Sequence, residues 1–270
     1  MNEKRIDRSA GSEHNPADRQ TDRQTDRQTD SGFFCMDCME GMKQYPDKFF
    51  DLAIVDPPYG INVAHHPGGA IIGGGGRPFG GKAHSVWGKH KSVSESKFYH
   101  VFDDSTPPDK DYFQELKRVS KNQIIWGANF MLDFLGNASC MIVWDKKRRN
   151  MDQADCEIAW TSLPGQSRIV EYRWNGMLQE NMKAKERRIH PTQKPVDLYK
   201  WILNKFAGPD DIILDTHVGS ASSLIACRET GHKYIGFEID PVYYEAAKKR
   251  LDAAEAQVNI FDLGFNPYQE

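Results

Sequence analysis

No run of apolar residues in this 270-residue chain approaches the roughly 20 positions that a membrane-spanning helix needs, and the first residues lack the apolar core of a secretory signal. Both absences lead to the expectation of a cytoplasmic protein with no membrane partner. Cysteine is sparse as well. Cys35, Cys38, Cys140, Cys156 and Cys227 form an odd set in a long chain, which argues for reduced thiols and against a disulfide framework. Cys35 and Cys38 make a CxxC, but no second CxxC or CxxxH supplies the remaining ligands of a zinc site, so no metal is expected. A phosphate-binding P-loop is missing too: Gly76 to Lys82 has the GxxxxGK spacing, yet Ala83 replaces the required Ser or Thr and no strand precedes it. His65 and His66, in the same stretch, are expected to be solvated rather than metal-bound. A dominant charge is also absent, but the net charge of -3 hides asymmetry. Lys146, Lys147, Arg148 and Arg149 are consecutive, Arg168 to Lys194 holds seven Lys or Arg against three Glu, and acids dominate after Asp210.

What is present begins with a polar stretch. Residues 1–31 end in DRQTDRQTDRQTD, from Asp18 to Asp30, and hold too little apolar surface to offset their ordering entropy, so they read as a disordered tail. Repeated ACAG translates as Thr, Asp, Arg, Gln, the order seen here. One reading is a tetranucleotide tract whose slippage moves the gene in and out of frame; the other is an inert low-complexity tail. From Gly32 to about residue 257, short apolar runs alternate with helical patterns, which predicts one α/β domain with a parallel sheet covered by helices, before a tail over 258–270.

Strands are predicted at Phe33 to Met36, Leu52 to Val55, Gln123 to Trp126, Met141 to Trp144, Cys156 to Trp160, Ile169 to Trp174, Ile212 to Leu214 and Tyr234 to Phe237. The runs from Met141 to Trp174 resemble sheet edges or a small β extension. Helices are predicted at Met39 to Tyr45, Asp109 to Ser120, after Pro195, from Ser220, and from Pro241 to about Ala256. The closing βαβα segment looks like a nucleotide-binding unit. Gly60 to Lys91 is a long glycine-rich stretch without periodicity, the kind of loop that closes over a substrate.

The sharpest chemical signal is Asp56, Pro57, Pro58, Tyr59. Two prolines end the run LAIV, so Asp and Tyr are presented at the carboxyl end of a strand, where ligand chemistry concentrates. Methylating an exocyclic amine requires its lone pair to be drawn out of the ring. An acceptor pair, the Asp56 carboxylate and the Pro57 carbonyl, achieves this, and Tyr59 can stack on an extruded base. A plain strand-terminating turn is the alternative.

In ILDTHVGSASSLIAC a strand ends at Asp215 and Gly219 opens a helix, a turn that lets backbone approach a ligand closely or simply packs well. About 20 residues later Glu238 and Asp240 end the next strand, where an acid suits ribose hydroxyls or caps the helix at Pro241. HPTQKP, His190 to Pro195, offers Thr192 and Lys194 to an anion or starts a helix.

Together, DPPYG, HPTQKP and DTHVGSAS in this order resemble the β-class amino-methyltransferases of DNA, over roughly Gly32 to Leu251, with the approach FFCMDCMEGMKQYPDKFFDLAIVDPPYG included. The resemblance implies a Rossmann-like, doubly wound mixed sheet of the S-adenosylmethionine-dependent type with the catalytic motif ahead of the cofactor motif. It implies transfer of the methyl group of S-adenosylmethionine to adenine N6 in DNA, since DPPY leads mostly adenine enzymes. Cytosine N4 and a catalytically silent DNA-binding relative remain the alternatives.

By position, the resemblance gives Asp56 to Tyr59 the amino group, Asp37 the cofactor's adenine, Asp215, Gly219 and Ser220 its methionine end, and Glu238 its ribose. Thr192 and Lys194 fall near its carboxylate. The chain departs from the pattern in having His217 and Gly219-Ser220-Ala221 where Phe and Gly-Ser-Gly are usual.

DNA phosphates are expected to meet Lys146, Lys147, Arg148, Arg149, Arg187 and Arg188, and residues 145–190 are the candidate target-recognition region. So small a region predicts a short recognition sequence or help from a homodimer partner. A cognate restriction endonuclease is a further candidate partner, and the host a bacterial or phage-infected cell.

Overall fold

The computed structural model describes residues 30–61, 100, 104–149, 154–175 and 178–262, with side chains to 256. The repeat tail before residue 30, the tail after 262, His65, His66, the Gly76–Lys82 near-match and all of the glycine-rich loop but Gly60 and Ile61 lie outside the described residues.

The unit from Gly32 onward is built on an eight-stranded sheet. Its strands are β1 (Gly32–Cys35), β2 (Phe50–Val55), β3 (Ser120–Trp126), β4 (Met141–Asp145), β5 (Cys156–Thr161), β6 (Arg168–Glu171), β9 (Ile212–Asp215) and β10 (Lys233–Glu238), while β7 (Trp174–Asn175) and β8 (Leu178–Gln179) form a separate ribbon. The order is β1-β10-β9-β2-β3-β5-β4-β6. The first five are mutually parallel; β5 runs antiparallel to both β3 and β4, and β6 is parallel to β4. The fold is therefore a doubly wound, mostly parallel α/β sheet with an antiparallel extension. Between β9 and β2 the connections turn opposite ways, which opens a crevice at the carboxyl ends of the strands.

Alternation along the central strands explains the layers. Leu52 and Ile54 face one core with Leu198, Ile202, Leu224 and Leu251, which come from α4 (Val196–Phe206), α5 (Ser222–Glu229) and α6 (Pro241–Asp262). Ala53 and Val55 face the other, with Met42 from α1 (Cys38–Met42), Phe113 and Leu116 from α2 (Lys110–Val119), and Leu135 from α3 (Leu132–Leu135). Runs buried on both faces are what a parallel strand needs.

Helix starts follow their caps. The Asp109 carboxylate accepts from Tyr112 N at 3.0 Å, and Asp37 accepts from Met39 N and Glu40 N at 2.8 and 3.2 Å. Pro195 carries no capping side chain of its own; Glu186 Oε1 reaches in to accept from Val196 N at 3.0 Å.

Several boundaries differ from the sequence expectation. Helix α1 stops at Met42 rather than Tyr45, and α6 continues past Ala256 to Asp262. Helix α5 begins two residues after Ser220 because Gly219 and Ala221 both take positive φ, +55° and +60°, before the helix can start. The strands β4, β5 and β6 are the edge-side extension of the main sheet, as their sequence runs suggested. The run expected at Ile169 to Trp174 is broken, because Trp174 turns inward and its Nε1 donates to Gln193 O at 2.8 Å.

Candidate active site

Strand β2 delivers Asp56 to the mouth of the crevice, and the prolines that follow release the chain from the sheet. The turn is fixed from outside: the buried Asp104 carboxylate accepts from Tyr59 N at 2.7 Å and Gly60 N at 3.1 Å. Tyr59 then folds back so that its hydroxyl donates to Asp56 Oδ1 at 2.5 Å. Its ring stacks on Phe130, with centroids 5.2 Å apart and planes 19° from parallel. Gly127, at φ +70°, passes beneath it; a Cβ there would sit 2.1 Å from the ring. Only glycine allows that approach.

Asp56 also carries an ion pair to Lys194, whose Nζ bonds Oδ2 and donates to Tyr59 Oη at 3.1 Å. Lys194 is almost completely buried, and its ammonium meets a second carboxylate, Glu157 Oε2, at 3.1 Å. Glu157, buried in β5, is in turn paired with the buried Lys146. Burial pushes the Asp56 carboxyl up while Lys194 pulls it back. Burial works against charge at Glu157 too, but the Lys146 and Lys194 ammonium groups hold it at about 2. Lys194 stays protonated because Asp56 and Glu157 outweigh its desolvation.

A cavity of about 330 Å³ is lined by Asp56, Tyr59 and Glu238 together. Of the residues expected to hold a ligand, Thr192, Lys194, Gly219, Ser220 and Glu238 line it with Asp56, Pro57, Pro58 and Tyr59. Glu238 Oε2 accepts from Gly219 N at 2.8 Å and Oε1 from Asp240 N at 2.9 Å, which joins the ends of β9 and β10.

Asp215 and Asp37 do not line the cavity. Asp215 lies behind it, accepting from His217 N at 3.0 Å and from Ser223 Oγ, with its carboxyl raised by burial to about 7. Asp37 remains at the start of α1, capping it. Burial lowers His190 to about 3 and His217 to about 4, so the cavity wall is neutral there.

The expected basic cluster is divided by the fold. Lys146 is not a surface cation: it points inward to Glu157, with its Nζ 4.8 Å from the Trp144 ring centroid. Lys147 faces Glu180 at 3.3 Å, Arg149 is paired with Asp145 at 2.5 Å, and Arg148 donates to Trp174 O at 3.0 Å. Arg188 turns back to Pro191 O, and Arg187 is exposed.

Sequence reasoning missed Asp104, Phe130 and Glu157. Glu157 did leave a signal, an acid inside the apolar strand CEIAWT, since a buried carboxylate demands a partner. Among the described residues no His, Cys, Asp and Glu cluster could hold a metal, and no helix is long and apolar enough to cross a membrane.

The family model described as DNA methylase, for the N6 and N4 enzymes, matches residues 50–249. The type II methyltransferase M.HinfI of Haemophilus influenzae is 26% identical over 268 residues, covering 84% of this chain and 70% of that protein. YubD of Escherichia coli K12 is 25% identical over 229 residues, 83% of this chain and 92% of its own. Among solved structures, the M1.HpyAVI complex with SAM aligns with a TM-score of 0.46 at 18% identity, over 81% of this chain and 98% of that one.

Proposed function

We propose, because the chain belongs to the N6/N4 family of DNA methylases, that it transfers a methyl group from S-adenosylmethionine to the N6 amino group of adenine in DNA. The observation that carries this reading is that Asp56, Tyr59 and Glu238 line one cavity. Its volume falls within the roughly 300–1,000 Å³ of small-molecule sites. Glu238 keeps lone pairs beyond the two it gives to backbone N–H groups, so a pair of hydroxyl donors suits it. Gly219 and Ser220, on the positive-φ turn, and Thr192 would line the same molecule.

S-adenosylmethionine, when bound, supplies a methyl group on a sulfonium. The chain's part is to prepare the nucleophile. Both Asp56 oxygens accept one protein donor each, and a carboxylate has about four acceptor positions, so each oxygen keeps one with which to accept an amino hydrogen. The Pro57 carbonyl takes the other. Together they favour the tetrahedral nitrogen that attacks the methyl carbon. As the N–C bond forms and the C–S bond breaks, the nitrogen sheds one proton, which the Asp56 side can receive. Tyr59, braced by Phe130 and Gly127, offers a rigid ring to stack on. Asp56 rather than Ser before the Pro-Pro-Tyr run favours adenine over cytosine N4.

Arg187 is the exposed candidate for DNA phosphate, with Lys147, Arg148, Arg149 and Arg188 beside acids or carbonyls that phosphate would have to displace. Lys146 leaves that set. Help from a second copy of the chain in reading DNA is tested by sedimentation with and without duplex.

Mass spectrometry of nucleosides from methylation-deficient cells expressing the protein tests the main reading. N6-methyladenine that disappears with Asp56→Ala supports it, N4-methylcytosine transfers it to the cytosine enzymes, and neither product overturns it in favour of a silent DNA-binding relative.

A further inference from the structure

The buried charges behind Asp56 do more than fill space. Asp56, Lys194, Glu157 and Lys146 alternate in sign along one chain of contacts, drawn from the end of β2, the segment before α4, strand β5 and the end of β4. Lys194 is 2% exposed, Glu157 6% and Lys146 5%, so water does little to screen them. Lys194 alone would place a full positive charge on Asp56 and weaken it as an acceptor of an amino hydrogen. Glu157 shares that charge. Lys146, held against Trp144, keeps Glu157 ionised and in place.

We propose that Glu157 and Lys146 are positioning residues for methyl transfer: by dividing the charge of Lys194 between two carboxylates, they leave Asp56 a stronger acceptor and proton receiver than a simple Asp–Lys pair would provide. This rests on the reading of Asp56 as the amino-group acceptor. The other ionisable groups facing Asp56 are Tyr59 from its own turn, Tyr112 of α2, Tyr199 of α4 and Asp215 of β9. Burial and the nearby acids raise all of these groups; the three tyrosines stay neutral in the working range.

Glu157→Gln alone strands a buried lysine and could cost the fold. The paired variant Lys146→Met with Glu157→Gln removes one charge of each sign and leaves the Asp56–Lys194 pair intact. The test follows the Asp56 carboxyl by carbon-13 NMR of Asp-labelled protein, assigned by Asp56→Asn, together with the pH profile of kcat.

In the paired variant Asp56 titrates lower by on the order of one pH unit. The acid limb of kcat shifts with it, while the pH-independent kcat falls about tenfold and KM holds. An Asp56 titration that does not move, in a variant with native circular dichroism, overturns the inference whether or not the protein methylates DNA. A shifted titration in a protein that methylates neither base supports the charge division and sinks the functional reading alone. A wild-type titration in Lys146→Arg alone, which keeps Glu157 and a cation beside it while changing the packing, separates charge division from a packing effect; a titration shifted there as in the paired variant counts against the inference.

Discussion

Asp215, His190 and His217 line or back the cavity at the parallel half of the sheet, and burial drives all three toward their neutral forms. Glu157 and Lys194 are as deeply buried at the junction with the antiparallel strands, yet they remain charged because each faces a partner. The parallel half supplies cavity walls from the ends of β2, β9 and β10. The antiparallel extension, which brings little to the cavity surface, supplies the electrostatic backing. The difference shows that burial alone does not decide ionisation; partner geometry does.

The comparison breaks most visibly at the point the halves share. Asp56→Asn keeps the shape of the side chain and removes its charge, and kcat is expected to fall at least about 10³-fold, measured by methyl incorporation into duplex DNA. Glu157→Ala removes the anion between Lys146 and Lys194 and leaves Lys194 with Asp56 alone. Urea unfolding should record a loss of about 3–5 kcal/mol, more than the Lys146→Met, Glu157→Gln pair loses. In the parallel half, Ile54→Ala empties a fully buried site and should cost about 2–5 kcal/mol, whereas Ile169→Ala on the edge strand β6, 69% exposed, should stay within about 0.5 kcal/mol.

The neutral groups give a finer test through pH. His217 and His190 have folded values depressed below the unfolded 6.5, so their contribution to stability is full above that value and is lost as pH falls toward about 4 and about 3. Asp215 works oppositely: raised from 3.8 to about 7, it stabilises at low pH and loses that contribution as pH rises through the same window. Between pH 4 and 6.5 Asp215→Asn should therefore make stability climb more steeply with pH, by at most about 1.4 kcal/mol per unit, in denaturant titrations at stepped pH. An unchanged slope would mean that Asp215 titrates as an ordinary carboxyl.

Much of the fold was legible because the parallel strands are short and mainly apolar; the runs LAIV and IIL state their burial without help. The antiparallel strands were found as strands but not placed, since joining β5 to β3 depends on partners far along the chain. In the site, DPPY and Glu238 could be located from strand ends alone. Lys194 could not be assigned: nothing in HPTQKP reveals that its ammonium turns to Asp56 and Glu157 rather than toward a ligand's carboxylate. The same holds for Lys146, whose three basic neighbours in sequence suggested a surface it does not share.

The strand order has a consequence for how the protein is made. Strand β1, the earliest of the described strands to emerge from a ribosome, pairs with β10 near the other end of the chain, and β2 waits for β9 on one side. Through most of synthesis the nascent chain thus carries the apolar, unpaired edges of its central strands, with Asp56 already made and the Lys194 that neutralises it still to come. Completion of the sheet and of the buried charge cluster then coincide, so a ribosome-stalled fragment ending before residue 190 should be a substrate for chaperones rather than a weakly active enzyme.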